Sequence, residues 1–367
     1  MPSEDEEPPG VVVLYNHNTH VLKGEPRDLI ADQEVVLSAQ AIAAALQRKG
    51  YRAVLLPISA HAGAMENDVL ASCLSANPMT RASMDVEMAL VPYPPTDWVA
   101  FNLGEGQEGR LFEEARIAWA LEAMGYRFTG CDGDALGRST NKARTKTLLT
   151  EHGVATPPWL VFRHPDEVKK RGMGALTFPV IVKPIAEDAS LGIGPEAVVS
   201  GEEAVRERVA YVVDRYHHAA LVEQFVAGRE FNIALWGDPV QVLPLAEVDF
   251  SAFANPCERI VSFAAKWEQR SFEYSNTPVC CPARVDRRLS ERIVHAALKS
   301  WEALGCRGYA RVDMRIDDQD APLVVEVNCN PDLSPDGGFT RAARAAGYSY
   351  EDMIEHILYP TAGSNRV

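Results

Sequence analysis

The segment VVEVNCNPD, residues 324–332, ends an apolar run with polar groups of the kind that bind metal ions. Glu326 and Asn328 are two positions apart, so in a β-strand their side chains lie on the same face. The segment ARVDMRID precedes it across a short turn and carries Asp313. If the two strands pair, two carboxylates and an amide oxygen converge. This set suits Mg²⁺, which takes few protein ligands and completes its shell with water and phosphate oxygens.

Arg311 lies two positions before Asp313, on the same strand face as the predicted metal ligands. A guanidinium beside a metal would oppose negative charge that develops in a transition state. The alternative is an edge hairpin whose charges are solvated. Because Glu326 follows the apolar run 323–325, its carboxylate is predicted to be mostly buried, and a buried charge needs a partner or an ion. This favours the metal site.

Three lysines are candidates for binding an anion. Lys183 lies near the end of the buried strand FPVIVKPI, where it either extends to solvent at the sheet edge or binds a phosphate group. The loop AEDASLGIG follows, and its small and glycine residues let backbone N–H groups turn towards an anion, although no GxxxxGK[ST] motif is present. Lys142 and Lys266 are equally open to a phosphate-binding or a solvated role.

The segment LVEQFVAGREF carries Glu223 and Glu230 around an apolar stretch. A strand that passes into a linker has free backbone groups that can bind the edge of an adenine ring. The alternative is a pair of surface carboxylates that flank a core strand. The residues alone do not choose between the two interpretations.

Alternating strands and helices must position these groups. After an acidic, proline-rich tail (residues 1–10), we predict buried strands at GVVVLYN, YRAVLLPIS and DWVAFNLGEG, and helices over Glu34–Lys49 and within EEARIAWALEAMG, the second of which is followed by a further strand at YRFTG. This pattern predicts a parallel sheet in an α/β domain over residues 11–135.

The remainder is predicted to form two further domains, residues 136–222 and 223–360. The first combines a helix over 139–151 with the strand that carries Lys183. The second has a strand pair around Gly237-Asp238, a long polar loop over 264–283, and the hairpin with the predicted metal ligands, turned by residues 317–320.

The composition limits the classes of partner. The 367 residues carry a net charge of −15, which disfavours nucleic acid and anionic membrane surfaces. The start lacks a basic and apolar leader, and no apolar run approaches the roughly 18 residues of a membrane span, so we expect a cytoplasmic protein. Seven cysteines without a CxxC pair fit buried thiols in a reducing compartment and argue against a disulfide framework or a zinc site.

Taken together and in order, these motifs resemble the ATP-grasp superfamily, and most closely the D-alanine–D-alanine ligases, over about residues 97–358. The segments that carry the resemblance are FNLGEG, TNKARTK, FPVIVKPIAEDASLGI, LVEQFVAGREF, AAKWEQRSFEYSNTPVCCPA, ARVDMRID and VVEVNCNPDLSPDGGFTRAARAAGYSYEDMIEHIL. The resemblance implies a three-domain ATP-grasp fold, α/β at the N-terminus and α+β in the ATP-binding part. It also implies a reaction in which a carboxylate takes the γ-phosphoryl group of ATP and an amine then displaces phosphate from the acylphosphate.

The resemblance also implies roles for individual residues. ATP and two Mg²⁺ ions, for which Mn²⁺ can substitute, would be the cofactors. The phosphates would be bound by Lys142, Lys183 and Lys266, the adenine by Glu223 with the backbone of Phe225 and Val226, and the ribose by Glu230. The metal ions would be bound by Asp313, Glu326 and Asn328, the tetrahedral intermediate stabilised by Arg311, and the first substrate oriented by Glu34 and Ser190.

Several positions depart from the family pattern. The loop after the first strand, NHNTHVLKGEPRDLIADQ, lacks the family's glycine pair, and Trp267 stands where the family has Tyr in the network that orients the first amino acid. At the acceptor end, Asp332 stands for a glycine and Gly337 for the serine that holds the carboxylate of the second alanine. We therefore expect different substrates, with an acceptor that is cationic or lacks a carboxylate.

Three functions follow from the sequence. The leading hypothesis is a carboxylate–amine ligase that acts on small molecules, without nucleic acid or membrane partners. The resemblance is also compatible with a homodimer. The second is a true D-alanine–D-alanine ligase, and the third is an ATP-binding regulatory protein that has lost turnover. The role of His17 and His20, either ligand-binding or solvated, stays open.

Overall fold

A three-stranded parallel sheet forms the N-terminal part of the structure, a computed structural model that describes residues 8–17, 23–58, 86–105 and 112–363. The strand order is β2-β1-β3, and the apolar central strand is buried along its whole length because it has a neighbour on each side. This confirms the predicted parallel sheet. The strand predicted after the second helix is reduced to one bridge between Ala100 and Phe128. The elements are β1 (Gly10–Asn16), α1 (Leu29–Arg48), β2 (Ala53–Ile58), β3 (Trp98–Leu103) and α2 (Glu113–Ala123).

Helix α1 begins earlier than the predicted start at Glu34. The reason is a capped turn at residues 25–28, in which the backbone N–H of Glu25 donates to Asp28 Oδ2 at 2.8 Å. By length and composition alone, the segment Pro26–Arg48 could cross a membrane. This corrects the expectation that no apolar run approaches the length of a membrane span. Here α1 packs against β1, β2 and the C-terminal helix α11 (Tyr350–Gly363), as a core helix does.

A four-stranded antiparallel sheet in the order β4-β7-β5-β6 forms the central part. Its valine-rich strands pack against the apolar face of helix α6, and this contact buries Val180, Val182, Val205 and Val209. The predicted strand with Lys183 is β5. The elements are α3 (Gly133–Ser139), α4 (Lys142–Glu151), β4 (Trp159–Phe162), α5 (Asp166–Arg171), β5 (Val180–Pro184), β6 (Val198–Val199), α6 (Glu202–Tyr216) and β7 (Ala220–Gln224).

A six-stranded antiparallel sheet forms the third part, with the path β11-β10-β8-β12-β13 and β9 paired to β8. The predicted strand pair around Gly237-Asp238 is β8 with β9, and the predicted metal-site hairpin is β12 with β13. The elements are β8 (Glu230–Trp236), β9 (Gln241–Val242), β10 (Ala246–Val248), β11 (Val279–Cys280), α9 (Arg287–Leu304), β12 (Tyr309–Ile316), β13 (Pro322–Asn328) and α10 (Gly338–Ala345).

The segment 264–283, predicted as a long polar loop, contains helical turns and an edge strand. Helices α7 (Phe263–Trp267) and α8 (Phe272–Ser275) are each capped by a serine, Ser262 and Ser271, whose hydroxyl accepts a backbone N–H of the first turn. Elements this short show no hydrophobic periodicity, which is why the pattern missed them. The division into domains at residues 135 and 222 stays a prediction.

Candidate active site

The hairpin β12–β13 places four of the predicted residues on one face. Asp313 is paired directly with Glu326, and Arg311 with Asn328. Directly opposed residues of an antiparallel pair share a face, as do residues two apart on one strand. A β-bulge follows Asp313, so the register that brings these four together ends there. Asn232 on β8 donates from Nδ2 to Asp313 Oδ1 at 2.8 Å and fixes the carboxylate.

Each carboxylate of this face contacts a cation of the chain. Arg311 donates from Nε and Nη2 to the two oxygens of Asp313, each at 2.8 Å, in a bidentate pair. Lys142 Nζ lies 2.7 Å from Glu326 Oε1. Burial opposes ionisation, but Lys142, together with Lys183 and Lys266, lowers the pKa of Glu326 below its ordinary value. Two carboxylates and the amide oxygen of Asn328 on one face are donors that fit a hard divalent cation.

A buried carboxylate on β7 of the central sheet forms ion pairs with two lysines. Glu223 on β7 is 2% exposed, contacts Lys146 Nζ, and lies 2.9 Å from Lys183 Nζ. Burial opposes its charge, but the two ammonium groups lower the pKa of Glu223. Lys146 was missed by the sequence analysis. The available signal was its position, four residues after Lys142 and therefore on the same face of α4.

Helix α4 is held against β13 beside these lysines. Two hydrogen bonds join the residues after α4 to Val324 of β13. Thr156 Oγ1 donates to the carbonyl of Val324 at 2.7 Å, and the N–H of Val324 donates to the carbonyl of Ala155 at 2.9 Å. Lys146 Nζ in turn donates to Thr156 Oγ1 at 2.5 Å. Lysines of the second sheet and carboxylates of the third are therefore fixed relative to one another.

The linker between β7 and β8 is organised by Arg315, which the sequence analysis did not single out. Its guanidinium lies 2.6 Å from Glu230 and donates to the carbonyls of Val226 and Gly228 at 3.3 and 3.1 Å. A Cβ at Gly228 would lie 1.8 Å from the carbonyl oxygen of Ile316, so only glycine fits there. Phe225, beside Val226, is buried. The predicted adenine and ribose residues thus lie on one rigid segment.

The loop 186–194 is fastened to the segment that carries Lys266. Ser190 Oγ donates to the carbonyl of Val261 at 2.7 Å, and Trp267 Nε1 donates to the carbonyl of Ala189 at 2.9 Å. Ala189 and Ser190 both have left-handed backbone angles, with φ of 54° and 61°, which turn the loop sharply. Trp267 and Ser190, predicted to contact substrate, therefore also hold this loop in place.

Lys266 lies on α7 and forms no ion pair in the described part of the chain. Burial lowers the pKa of Lys266 and the nearby Arg311 lowers it further, whereas the carboxylates of Glu326, Asp313 and Asp188 oppose the shift. A half-buried ammonium that is near carboxylates but not paired with one is suited to receive an external anion.

Lys23, in the segment before α1, contacts the loop 186–194. Lys23 Nζ contacts Glu187, and His218 Nε2 lies 2.8 Å from Glu187 Oε1. Farther along, Arg27 Nη1 lies 3.2 Å from Glu268. Sequence reasoning missed these contacts, which join residues far apart in the chain. His17 is exposed, whereas His20 lies outside the described residues.

Glu34, predicted to orient the first substrate, lies near two carboxylates of the predicted acceptor end, Asp332 and Asp336. Burial raises the pKa of Glu34 on α1, and the nearby carboxylates of Asp336 and Asp332 raise it further. Asp332 is exposed, and it accepts the N–H of Ser334 at 2.8 Å and the hydroxyl of Ser334 at 2.7 Å. A Cβ at Gly337 would lie 2.6 Å from Asp332 Oδ2, so the Asp332 side chain would have to shift if position 337 carried a side chain.

A family model described as D-ala D-ala ligase C-terminus matches residues 148–359, more than half of the chain. The chain belongs to the D-alanine–D-alanine ligase family of the ATP-grasp superfamily. This confirms the resemblance seen in the sequence.

Two relatives show how close the family members are. The D-alanine–D-alanine ligase of Desulforudis audaxviator is 31% identical over 337 residues, which are 90% of this chain and 94% of that protein. The uncharacterized protein y4sG of Sinorhizobium fredii is 33% identical over 268 residues, 73% of this chain and 75% of that protein.

Solved structures of ligases in this family have the same fold. The D-alanine–D-alanine ligase of Bacillus anthracis in complex with ATP aligns over 96% of this chain and 97% of its own, with a TM-score of 0.68 at 19% identity. The VanG D-Ala:D-Ser ligase of Enterococcus faecalis aligns over 97% and 100%, with a TM-score of 0.69 at 17% identity. The predicted fold class is confirmed.

Proposed function

We propose that the protein is an ATP-dependent carboxylate–amine ligase that joins an amino acid or a related carboxylate to an amine and releases ADP and phosphate. The observation that carries this proposal is the convergence of Asp313, Glu326, Asn328 and Arg311 on one strand face, next to Lys142. Membership of a family of ligases supports it.

ATP would lie between the central and third sheets. Glu223 with the backbone of Phe225 and Val226 would bind the adenine, and Glu230 the ribose. The rigid linker held by Arg315 supports this assignment, as does the ATP complex of the Bacillus anthracis enzyme with the same fold. Lys142, Lys183 and Lys266 would contact the phosphates, and Lys266 forms no direct ion pair among the described residues.

The donor set of the hairpin fits two Mg²⁺ ions, or Mn²⁺ in their place, at Asp313, Glu326 and Asn328. Bound there, the ions would supply Lewis-acid polarisation of the phosphoryl oxygens. Asp313 and Glu326 now contact Arg311 and Lys142, so ligand binding would require these pairs to exchange partners. The exchange would free both cations to face the reacting phosphoryl group.

The reaction would proceed in two displacements. A carboxylate oxygen of the first substrate forms a bond to the γ-phosphorus while the bond to the bridging oxygen breaks and ADP leaves. The amine nitrogen then attacks the acyl carbon, phosphate departs, and the nitrogen loses its proton to give a neutral amide. Lysine charges would offset the charge of the phosphoryl group in transfer, and Arg311 would stabilise the tetrahedral oxyanion.

The acceptor would be an amine that is cationic elsewhere or lacks a carboxylate. Glu34, Asp332 and Asp336 lie close together, and the carboxylate of a D-alanine acceptor would add another negative charge. A true D-alanine–D-alanine ligase is the second candidate. It is favoured by the relative of that name in Desulforudis audaxviator, which covers 90% of this chain.

Phosphate release from ATP and Mg²⁺, measured across a matrix of carboxylate donors and amine acceptors, tests the proposal. Asn328→Ala serves as the blank, and D-alanine alone is one condition. Release that requires both a donor and an amine supports a ligase. Release with D-alanine alone, at the rate of the best mixed pair, would favour the second candidate. Binding of ATP without amine-dependent release under any condition would contradict both and leave a regulatory protein.

A further inference from the structure

Three cysteines from separate segments meet behind the hairpin. Cys131 precedes α3, Cys306 follows α9, and Cys329 directly follows β13. Their Sγ atoms all lie within 4.8 Å of one another, and those of Cys306 and Cys329 are 3.6 Å apart. The exposed fractions of the three residues are 1%, 8% and 1%. No short spacing motif could reveal this cluster, because it forms only in the folded chain.

The spacing of the three sulfurs matches that of thiolates around one metal ion. At a Zn–S distance of about 2.3 Å, thiolates in tetrahedral or trigonal geometry are roughly 3.8–4.0 Å apart. The observed upper limit of 4.8 Å and the shortest separation of 3.6 Å enclose that value. A disulfide, by contrast, would use two of the sulfurs at about 2.05 Å and leave the third unused.

The environment is suited to soft ligation. Cys131 Sγ donates to the carbonyls of Arg307 at 3.2 Å and Tyr309 at 3.6 Å, so its thiol is oriented towards the strand β12 that carries Arg311. Thiolates prefer thiophilic ions such as Zn²⁺, Cu⁺ and Cd²⁺ over the hard ions preferred by carboxylates. Ligation would release the thiol protons, so affinity should rise with pH.

We propose that Cys131, Cys306 and Cys329 form a binding site for one thiophilic metal ion. This site is separate from the proposed Mg²⁺ site, whose oxygen ligands suit a hard ion. The proposal departs from the expectation, based on spacing alone, that the cysteines form no zinc site. Cys329 is adjacent to Asn328, and Asn330 is tied to Tyr309 and Gly104 at 3.1 Å each. An ion on Cys329 would therefore stiffen the strand end that carries Asn328.

The test uses the full-length protein, reduced and stripped of metal, in a background where the other four cysteines, Cys73, Cys257, Cys280 and Cys281, are replaced by serine. Cd²⁺ is titrated anaerobically, the sulfur-to-cadmium absorption is followed, and native mass spectrometry counts the ions. We expect one ion per chain, with tighter binding at higher pH. The readout is metal binding, so the result does not depend on the ligase proposal.

Single replacements in that background assign the ligands. Cys131→Ser, Cys306→Ser and Cys329→Ser should each weaken Cd²⁺ binding by more than about 100-fold, since loss of a ligand exceeds the roughly 10–100-fold effect of an outer-shell change. Thermal melting keeps the test valid if a variant folds poorly, because bound Cd²⁺ should raise the melting temperature of the three-cysteine background. Equal binding in all three variants, or binding only in the presence of Cys280 and Cys281, would overturn the proposal. Recovery of a disulfide between Cys306 and Cys329 with no bound ion would also overturn it.

Discussion

The two ends of the candidate site differ in how they treat negative charge. At the phosphate end each carboxylate contacts a cation: Asp313 with Arg311, and Glu326 with Lys142. At the other end Glu34, predicted to orient the first substrate, lies near Asp332 and Asp336 of the predicted acceptor end, and none of the three forms an ion pair within the described residues. The first end has the charges that ATP and metal ions require. At the second, no carboxylate is paired with a cation among the described residues, although Arg341 donates to the backbone carbonyl of Asp336 at 3.1 Å.

This difference supports the proposal that the phosphoryl chemistry is shared with the family and that the acceptor differs. Phosphoryl transfer needs positioned cations and leaves little freedom in residue type. Acceptor choice depends on a few contacts, and unpaired groups there discriminate strongly between substrates. We therefore expect variants at the phosphate end to abolish turnover and variants at the acceptor end to change which amine is used.

The largest effect is expected at the hairpin. Glu326→Gln removes a carboxylate from the proposed metal set and leaves Lys142 with Asp188 as its acidic partner. We expect phosphate release to fall by on the order of 10³-fold, since a metal site supplies several kcal/mol of charge stabilisation. Glu302→Gln on the exposed side of α9 is the matched control and should change nothing. If the rate of the Glu326→Gln enzyme stayed within threefold of the native rate, the proposed role of Glu326 in phosphoryl transfer would be wrong.

The next largest effect is on the free energy of unfolding, through the buried pair of Lys146 and Glu223. Lys146→Met leaves Glu223 with one of its two cations in a buried setting. We expect the free energy of unfolding to fall by about 3 kcal/mol, because the remaining charge stays buried. Urea unfolding monitored by fluorescence measures this. Lys299→Met, which breaks an exposed pair with Glu302, should cost less than about 1 kcal/mol. Equal losses in the two variants would contradict the proposed role of Lys146.

A smaller effect should separate the acceptor end from the rest. Gly337→Ser alone should impair acceptor use, because its Cβ would collide with Asp332. Asp332→Gly combined with Gly337→Ser removes the collision and the charge and restores the family pattern. We expect the preference for D-alanine over a cationic amine to rise by about 10–100-fold in the double variant. Unchanged preference, measured as the ratio of kcat/KM values, would mean that these positions do not select the acceptor.

The smallest predicted effect is a shift in pH dependence. The lowered pKa of Lys266 means that its charge is lost at a lower pH than the 10.5 of an ordinary lysine. Because the charged form would bind phosphate, kcat/KM for ATP should fall as pH rises through that pKa. Lys266→Arg stays charged, so its profile should extend to higher pH. An identical alkaline limb in both enzymes would assign the limb to another group.

Some of these features could be predicted from the sequence because they depend on neighbours in the chain. The pairing of Asp313 with Glu326 follows from two adjacent strands and strict alternation of side chains. The roles of Lys23, Lys146 and Arg315 could not, since each depends on a partner brought near only by tertiary packing. Helices α7 and α8 were missed because single turns have no period, and the collision between Gly337 and Asp332 is visible only in coordinates.

The central claim is that this chain retains the family's phosphoryl chemistry and has changed its acceptor. The most direct measurement compares kcat/KM for D-alanine and for a diamine as acceptors, with ATP, Mg²⁺ and the best carboxylate donor held constant. We predict that the diamine is preferred and that Asp332→Gly reduces this preference. A higher kcat/KM for D-alanine, unaffected by Asp332→Gly, would contradict the claim.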